Sequence, residues 1–165
     1  PLDTYHFWKR EHLTFPNGTH VAEVEVDPET GRVTLERYSG VDDYGVMVNP
    51  MVVAGQAHGA MAQGAGQALL ERTTYDPRSG QMIAGTFMDY AMPRADDLPS
   101  FRLGFNPTPC TTNPLGVKGC GEAGAIAAFP AIHNAVLDAL APLGVRNFDG
   151  PATPGRIWQA IASAR

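Results

Sequence analysis

Cysteine is scarce in this 165-residue sequence, with Cys110 and Cys120 the two present. That is too few for a disulfide framework, and neither belongs to a C-x-x-C pair of the kind that holds zinc. The expected setting is therefore reducing and cytoplasmic. Charge is also sparse: 12 basic and 17 acidic side chains leave a net charge of −5. No Lys/Arg cluster or stripe could neutralise a run of phosphates, which sets nucleic acid aside as a partner. No stretch joins a basic segment to an apolar core and a small-residue cleavage site, and no apolar run is expected to approach membrane-spanning length, so no transmembrane segment is expected. What the sequence has in quantity is glycine and proline, 18 and 14 residues, with neither a collagen period nor a low-complexity run, so the backbone should be loop-rich and tightly packed. A hydrophobic share of 44% suffices for one soluble globular domain with a moderate core.

Residues 19–26 alternate so that His20, Ala22, Val24 and Val26 share a face, and Asp27-Pro28-Glu29-Thr30-Gly31 supplies turn chemistry before Val33 and Leu35 resume the alternation. This predicts a β-hairpin. Asn49 as N-cap with Pro50 at the first helical position opens a buried helix that should run to about Leu70. Its Gly55, Gly59, Gly64 and Gly66 should each cost about 1 kcal/mol against Ala. Two explanations stay open: tight packing against another helix, or close approach of a large ligand. Residues 73–75 and 81–83 flank Asp76-Pro77-Arg78-Ser79-Gly80 and predict a second hairpin, and 88–99 read as an ordered loop. A strand is expected over 101–105, then irregular proline-rich chain, then a helix over 131–140. Thr153-Pro154 opens a last helix, with Ile157, Ala160, Ile161 and Ala164 expected to face inward. With no linker and no repeat, the expected fold is a single α+β unit over 1–165: short β-hairpins and strands, a buried Gly-rich helix and two C-terminal helices. Residues 1–14 form a poorly defined lead-in.

The most informative segment is Gly116-Val117-Lys118-Gly119-Cys120-Gly121-Glu122-Ala123-Gly124, set directly before an apolar helical stretch. Glycines let backbone N–H groups approach a bound group, and a helix N-terminus favours negative charge on whatever sits there. A carboxylate shielded there can serve as a general base if a ligand proton lies within reach. Blander readings stand beside this. Gly119, Gly121 and Gly124 have G-x-G-x-x-G spacing, but no strand immediately precedes them. Lys118 is followed by Gly119, not by the Ser/Thr of a phosphate-binding loop. Glu122 could also simply complement the helix dipole.

Further motifs occur with this loop in one order: Asn49-Pro50, Gly55-Gln56-Ala57-His58-Gly59, Gln63-Gly64, Phe87-Met88-Asp89-Tyr90, Pro93-Arg94-Ala95-Asp96-Asp97-Leu98-Pro99, Asn113-Pro114-Leu115-Gly116-Val117-Lys118-Gly119, Gly121-Glu122-Ala123-Gly124 and Asn134-Ala135. From about Phe15 onward the chain resembles the end of the molybdenum-binding large subunit of the xanthine oxidase and aldehyde oxidase family. The Asp-Tyr and Arg-Ala-Asp-Asp-Leu-Pro run is most similar to the aerobic carbon monoxide dehydrogenase branch. The resemblance implies part of a larger molybdopterin-binding domain and a hydroxylation whose oxygen comes from water. Glu122 would be the base toward a molybdenum-bound hydroxyl. Gln56 would contact the pterin, with Gly55, Gly119 and Gly121 as further cofactor-binding positions.

The implied cofactor is molybdopterin in its cytosine dinucleotide form, with molybdenum held by the pterin dithiolene and no protein metal ligand. His58, His133 and Cys120 are accordingly expected to pack, and Lys118 to be an exposed structural lysine. Iron-sulfur clusters and FAD would sit on partner subunits, and the remainder of the large subunit would be a further partner. The substrate would be a small molecule, whether carbon monoxide, an aldehyde or a heterocycle. The family's large subunits are far longer and Pro1 replaces an initiator Met, so a fragment with an incomplete active site, inactive by itself, is expected. A noncatalytic packing module of a larger oxidoreductase complex is the alternative.

Overall fold

The alternating segment becomes strand β1 (Asn17–Val26), which pairs antiparallel with β2 (Val33–Asp43) in the computed structural model, whose description covers residues 2–9 and 11–164. The turn between them is held locally. The Asp27 carboxylate accepts from the Glu29 N–H at 2.9 Å and the Thr30 hydroxyl at 2.6 Å, and Gly31 takes a φ of 73°, a conformation that favours glycine. His20, Ala22, Val24 and Val26 do share the half-buried face. Strand β3 (Arg102–Phe105) lies parallel to β2, with Ser39 opposite Arg102 and Asp42 opposite Phe105. Parallel neighbours need a long crossover, and helix α1 (Pro50–Leu69) with the segment after it supplies one. As the capping logic predicts, the Asn49 side chain accepts from the Val52 N–H at 3.2 Å.

Helix α2 (Ala123–Leu140) packs across α1 and against β1, and α3 (Pro154–Ala164) completes the core. Met61, Ile132, Val136, Leu140 and Ile157 are wholly enclosed there, with Tyr38 beside them. Small residues make the helix crossing close. A Cβ on Gly64 would lie 2.5 Å from that of Ala128, and one on Gly124 would lie 2.9 Å from that of Ala60. Helix packing therefore accounts for Gly64, while Gly66 backs onto Pro93. Gly55 and Gly59 differ: each is exposed, and an added Cβ would meet nothing within 4 Å. The expected buried helix is thus buried along one face only.

Other expectations change in detail. The second hairpin reduces to one bridge between Tyr75 and Met82. Its turn forms, with Asp76 accepting from the N–H groups of Arg78 and Ser79, but the flanking residues are largely exposed and no buried face fixes a register. Helix α2 starts at Ala123, well before residue 131, and carries Pro130 inside it. Proline deprives the carbonyl one turn earlier of its donor, yet Ile126 and Pro130 are both exposed, so water can take that carbonyl's bond. In α3, Ile157 and Ile161 are buried and Ala160 half-buried, whereas Ala164 is exposed at the helix end, contrary to expectation.

One stretch, Ala123–Leu143, is long and apolar enough to cross a membrane by length and composition, against the expectation that none would be. Its Ala128, Ile132, Val136 and Leu140 side chains form the centre of this core. The described part of the lead-in has neither strand nor helix, and Leu2, Tyr5, Phe7 and Trp8 are exposed.

Candidate active site

Strand β2 ends in two consecutive acids, Asp42 and Asp43, that are 3% and 7% exposed, which for carboxylates requires partners. Asp43 has a full set. One carboxylate oxygen accepts from the Gly45 N–H at 2.8 Å and the Thr108 N–H at 2.9 Å; the other accepts from the Lys118 ammonium at 2.6 Å and from the Asn17 amide at 3.5 Å. The Lys118 hydrogen bond, followed by those backbone N–H groups, holds the Asp43 carboxyl well below the usual carboxylate range despite its burial. Lys118 is therefore not the exposed structural lysine expected. Its side chain is 11% exposed and committed to Asp43.

Asp42 belongs to a second network. His20 Nε2 lies 3.0 Å from one Asp42 oxygen, the Tyr44 hydroxyl donates to the other at 3.0 Å, and His20 Nδ1 is 2.6 Å from the Tyr38 hydroxyl. Burial first, then the Asp42 charge, pushes both tyrosine hydroxyls above their usual range, so they remain donors. The consistent assignment has Tyr38 donating to Nδ1 and the Nε2–H donating to Asp42, which gives each group a partner. Sequence reading placed His20 on one face of the hairpin with Ala22, Val24 and Val26 but missed this network. The available signal was the Asp-Asp-Tyr run closing a strand whose partner carries an inward histidine.

These anchors hold the glycine-rich loop. Lys118 N–H donates to the Tyr44 carbonyl at 3.0 Å, Val46 N–H to the Gly116 carbonyl at 2.9 Å, and Gly45 pairs with Val117. Gly116 takes a φ of 66° at the tight turn where its Cβ would press on Val46 and Pro109. Beyond Lys118 the constraints thin out: Gly119 and Gly121 are exposed and have nothing within 4 Å of a would-be Cβ. Cys120 packs against the cluster of Tyr44, Val53 and Ala57, as expected.

Glu122 is the N-cap residue of α2. Its side chain caps no N–H, has no hydrogen-bond partner among the described residues, and is exposed. The shielding expected around that carboxylate is not supplied by the described residues. Gln56, on the exposed face of α1, donates its amide to the Gly121 carbonyl at 2.5 Å. The structure thus brings Gln56, Gly121 and Glu122 together, with Gly55 adjoining Gln56 on α1. Gly119, Gly121 and Glu122 also line an open cleft of about 580 Å³, together with Asn17, Asp42 and Ile126.

His58 and His133 lie apart from this cleft's lining. His58 is exposed and its Nδ1 donates to the Ala54 carbonyl at 2.8 Å. His133 packs between the rings of Phe129 and Phe148. Among the described residues no group of three or more His, Cys, Asp or Glu could hold a metal ion.

Residues 1–99 match the molybdopterin cofactor-binding domain family. The chain belongs to that family. It is 41% identical over 93% of its length to the nicotine 6-hydroxylase large subunit of Paenarthrobacter nicotinovorans, and 32% identical over 97% of its length to the carbon monoxide dehydrogenase large chain of Hydrogenophaga pseudoflava. It covers 19% and 20% of those two proteins. In structure it resembles quinoline 2-oxidoreductase from Pseudomonas putida 86, with a TM-score of 0.87 and 42% identity over 91% of this chain and 19% of that one. The chain spans about a fifth of the length of the relatives it matches. The resemblance to molybdenum-binding large subunits and the α+β fold expected from the sequence pattern therefore both stand.

The open loop glycines and the exposed α1 edge at Gly55 suit a large group that must approach backbone closely, so the residues present fit a molybdopterin.

Proposed function

We propose that this chain forms one wall of the cofactor cavity of a molybdenum hydroxylase, with Glu122 as the base. The observation that carries the reading is the hydrogen bond from Gln56 to the carbonyl of Gly121. It ties the exposed glycine edge of α1 to the residue immediately before Glu122, so one bound group can touch both. Gln56 and Gly55 would hold the pterin from the α1 side, and Gly119 and Gly121 would hold it through their unobstructed backbone. When bound, molybdopterin carries the metal and supplies the two-electron redox chemistry.

The part left to this chain is proton handling. Glu122 has no competing donor among the described residues, and its carboxylate accepts the proton released as a water-derived oxygen is readied for the substrate carbon. Positioned general bases contribute about 10²- to 10⁴-fold to rate. That contribution needs a site closed to bulk water, and Glu122 is exposed. The chain is therefore inactive alone, as a C-terminal piece of a large subunit whose remainder covers the cleft.

The cofactor is in the cytosine dinucleotide form, iron-sulfur clusters and FAD sit on partner subunits, and the assembly works in the cytoplasm. The similarity to proteins described as subunits supports the existence of partner subunits, one of those proteins being subunit gamma of the 6-hydroxypseudooxynicotine dehydrogenase complex. Of the substrate classes, a nitrogen heterocycle is favoured, because identity to the nicotine and quinoline enzymes is 41% and 42%, against 32% for the carbon monoxide enzyme.

The test is Glu122→Gln in the assembled enzyme. Turnover should fall by at least about a hundredfold, with pterin and molybdenum content unchanged. Turnover at the wild-type rate would remove Glu122 from the mechanism.

A further inference from the structure

Three residues separate Lys118 from Glu122, and two of them are glycines with nothing within 4 Å of a would-be Cβ. Sterics therefore do little to set the path of Gly119 and Gly121; within the loop Cys120 packs on Tyr44, Val53 and Ala57 and the Gly119 N–H lies 3.4 Å from the Thr14 hydroxyl, and the closer polar anchors stand at the two ends. Downstream, Gln56 holds the Gly121 carbonyl. Upstream, everything converges on Lys118: its N–H is bound to the Tyr44 carbonyl, Val117 is paired with Gly45, and its ammonium reaches Asp43 at 2.6 Å.

Asp43 is itself fixed. It accepts from Gly45 and from Thr108, so it joins the end of β2 to the loop after β3 before it meets Lys118. The two side chains are 11% and 9% exposed. A buried pair so placed does little for net stability, because both charges lose their water, but it discriminates strongly between one geometry and any other, since separating the charges in the interior is costly.

We infer that the Asp43–Lys118 pair is the positioning device that fixes the direction of Glu122. Lys118 acts through place and not through charge: its ammonium is neutralised by Asp43 at contact distance and is not offered to the cleft, whose lining includes Glu122 but not Lys118. The inference rests on the reading of Glu122 as the base. The anchoring it invokes can be measured without that reading.

The experiment compares Lys118→Met with the wild type in the assembled, cofactor-loaded enzyme by hydrogen exchange, pterin content, kcat and KM. Amide exchange over residues 117–122 should rise by about tenfold or more, while exchange over the β1 segment 19–26 stays as it was. With pterin content retained, kcat should fall by about a hundredfold, the scale of a misplacement near 1 Å, and KM should change little. Should Lys118→Met fail to fold, the double variant Asp43→Asn/Lys118→Met removes both charges, keeps an acceptor for Gly45 and Thr108, and should show the same loop-specific exchange.

Unchanged exchange over 117–122 overturns the anchoring. Raised exchange with an unchanged kcat shows that the pair anchors the loop without positioning Glu122, and overturns the inference. Retained turnover in Glu122→Gln is a separate failure: it removes the base, while the exchange result still decides whether the pair holds the loop.

Discussion

Helix α1 carries one substitution with opposite consequences at two positions. In a helix interior Ala is favoured over Gly by about 0.5–1 kcal/mol, since the methyl restricts the unfolded chain at no cost to helical geometry. At Gly59 a Cβ meets nothing within 4 Å, so Gly59→Ala should realise that gain and raise the midpoint by roughly 1–4 °C for a chain of this size. At Gly64 the same methyl would lie 2.5 Å from the Ala128 Cβ and 3.1 Å from the Ala125 carbonyl oxygen and the Phe129 nitrogen. Apolar carbons settle at about 3.5–4.0 Å, so α1 and α2 must part by roughly 1 Å. Overpacking of this kind costs about 1–3 kcal/mol. After the propensity gain is offset, Gly64→Ala should be less stable than wild type by about 1–2 kcal/mol, or a midpoint lower by roughly 2–8 °C.

Urea and thermal denaturation of the chain read both changes, and a Gly64→Ala that stabilises like Gly59→Ala would refute the close crossing. The comparison also separates folding from function. Gly55, like Gly59, has open space around it, so Gly55→Ala should stabilise the chain. In the assembled enzyme it should nevertheless lower pterin retention, because the methyl occupies the edge proposed to face the cofactor.

The buried networks give two further expectations. His20→Ala leaves Asp42 and Tyr38 each short of a partner inside the fold and should cost about 1–3 kcal/mol, whereas Tyr38→Phe, which removes one hydroxyl, should cost about 0.5–1.5 kcal/mol. Chemical denaturation distinguishes them, and equal losses would count against the assigned chain of donors. The pH dependence follows from Asp43. Its folded pKa lies below the ordinary value of 3.8, so the unfolded carboxyl takes up a proton more readily than the folded one. The stabilisation is thus complete above that ordinary value and is lost as pH falls below it toward the depressed folded pKa. Stability followed by denaturation between pH 5 and 2 (a window set on the order of the carboxylate range) should fall less steeply in Asp43→Asn than in the wild type.

The hairpin could be read from sequence because its determinants are local: a period of two along β1 and an Asx turn at Asp27. The α1 cap was readable for the same reason, with Asn49 and Pro50 adjacent. What escaped depended on distant partners. Nothing in Arg-Leu-Gly-Phe states that β3 will lie parallel to β2, because the crossover helix and the core beneath it decide that neighbour. Apolar spacing marked α2 only from residue 131, whereas the helix starts at Ala123 and runs through Pro130, whose effect is set by whether the freed carbonyl faces water or core. At the site, motif order pointed to Glu122 and Gln56, and the structure puts them on neighbouring backbone. The Asp43–Lys118 pair joins residues 75 positions apart, and Lys118 read alone looks like any surface lysine. Burial and pairing are properties of the assembled loop, which is why a lysine expected to be exposed became the loop's anchor.

The exposure of Glu122 bears on what the rest of the protein has to do. A carboxylate in bulk water exchanges its proton with solvent, and its electrostatic influence is damped by the high dielectric around it. The α2 wall of the site is not suited to remain wet. Ile126, one turn along α2 from Glu122 and part of the same cleft lining, is 74% exposed. Apolar surface on the α2 wall of a cleft is what a covering surface buries, and burial is worth about 25 cal/mol per Å² of apolar area. On the proposed reading the same closure serves two ends: docking of the remaining large subunit gains from that apolar surface and removes water from the carboxylate. The anchors described above are separate from that closure, since the Asp43–Lys118 and Gln56–Gly121 bonds lie within this chain. The loop's anchoring thus does not depend on contacts from the surface that encloses it.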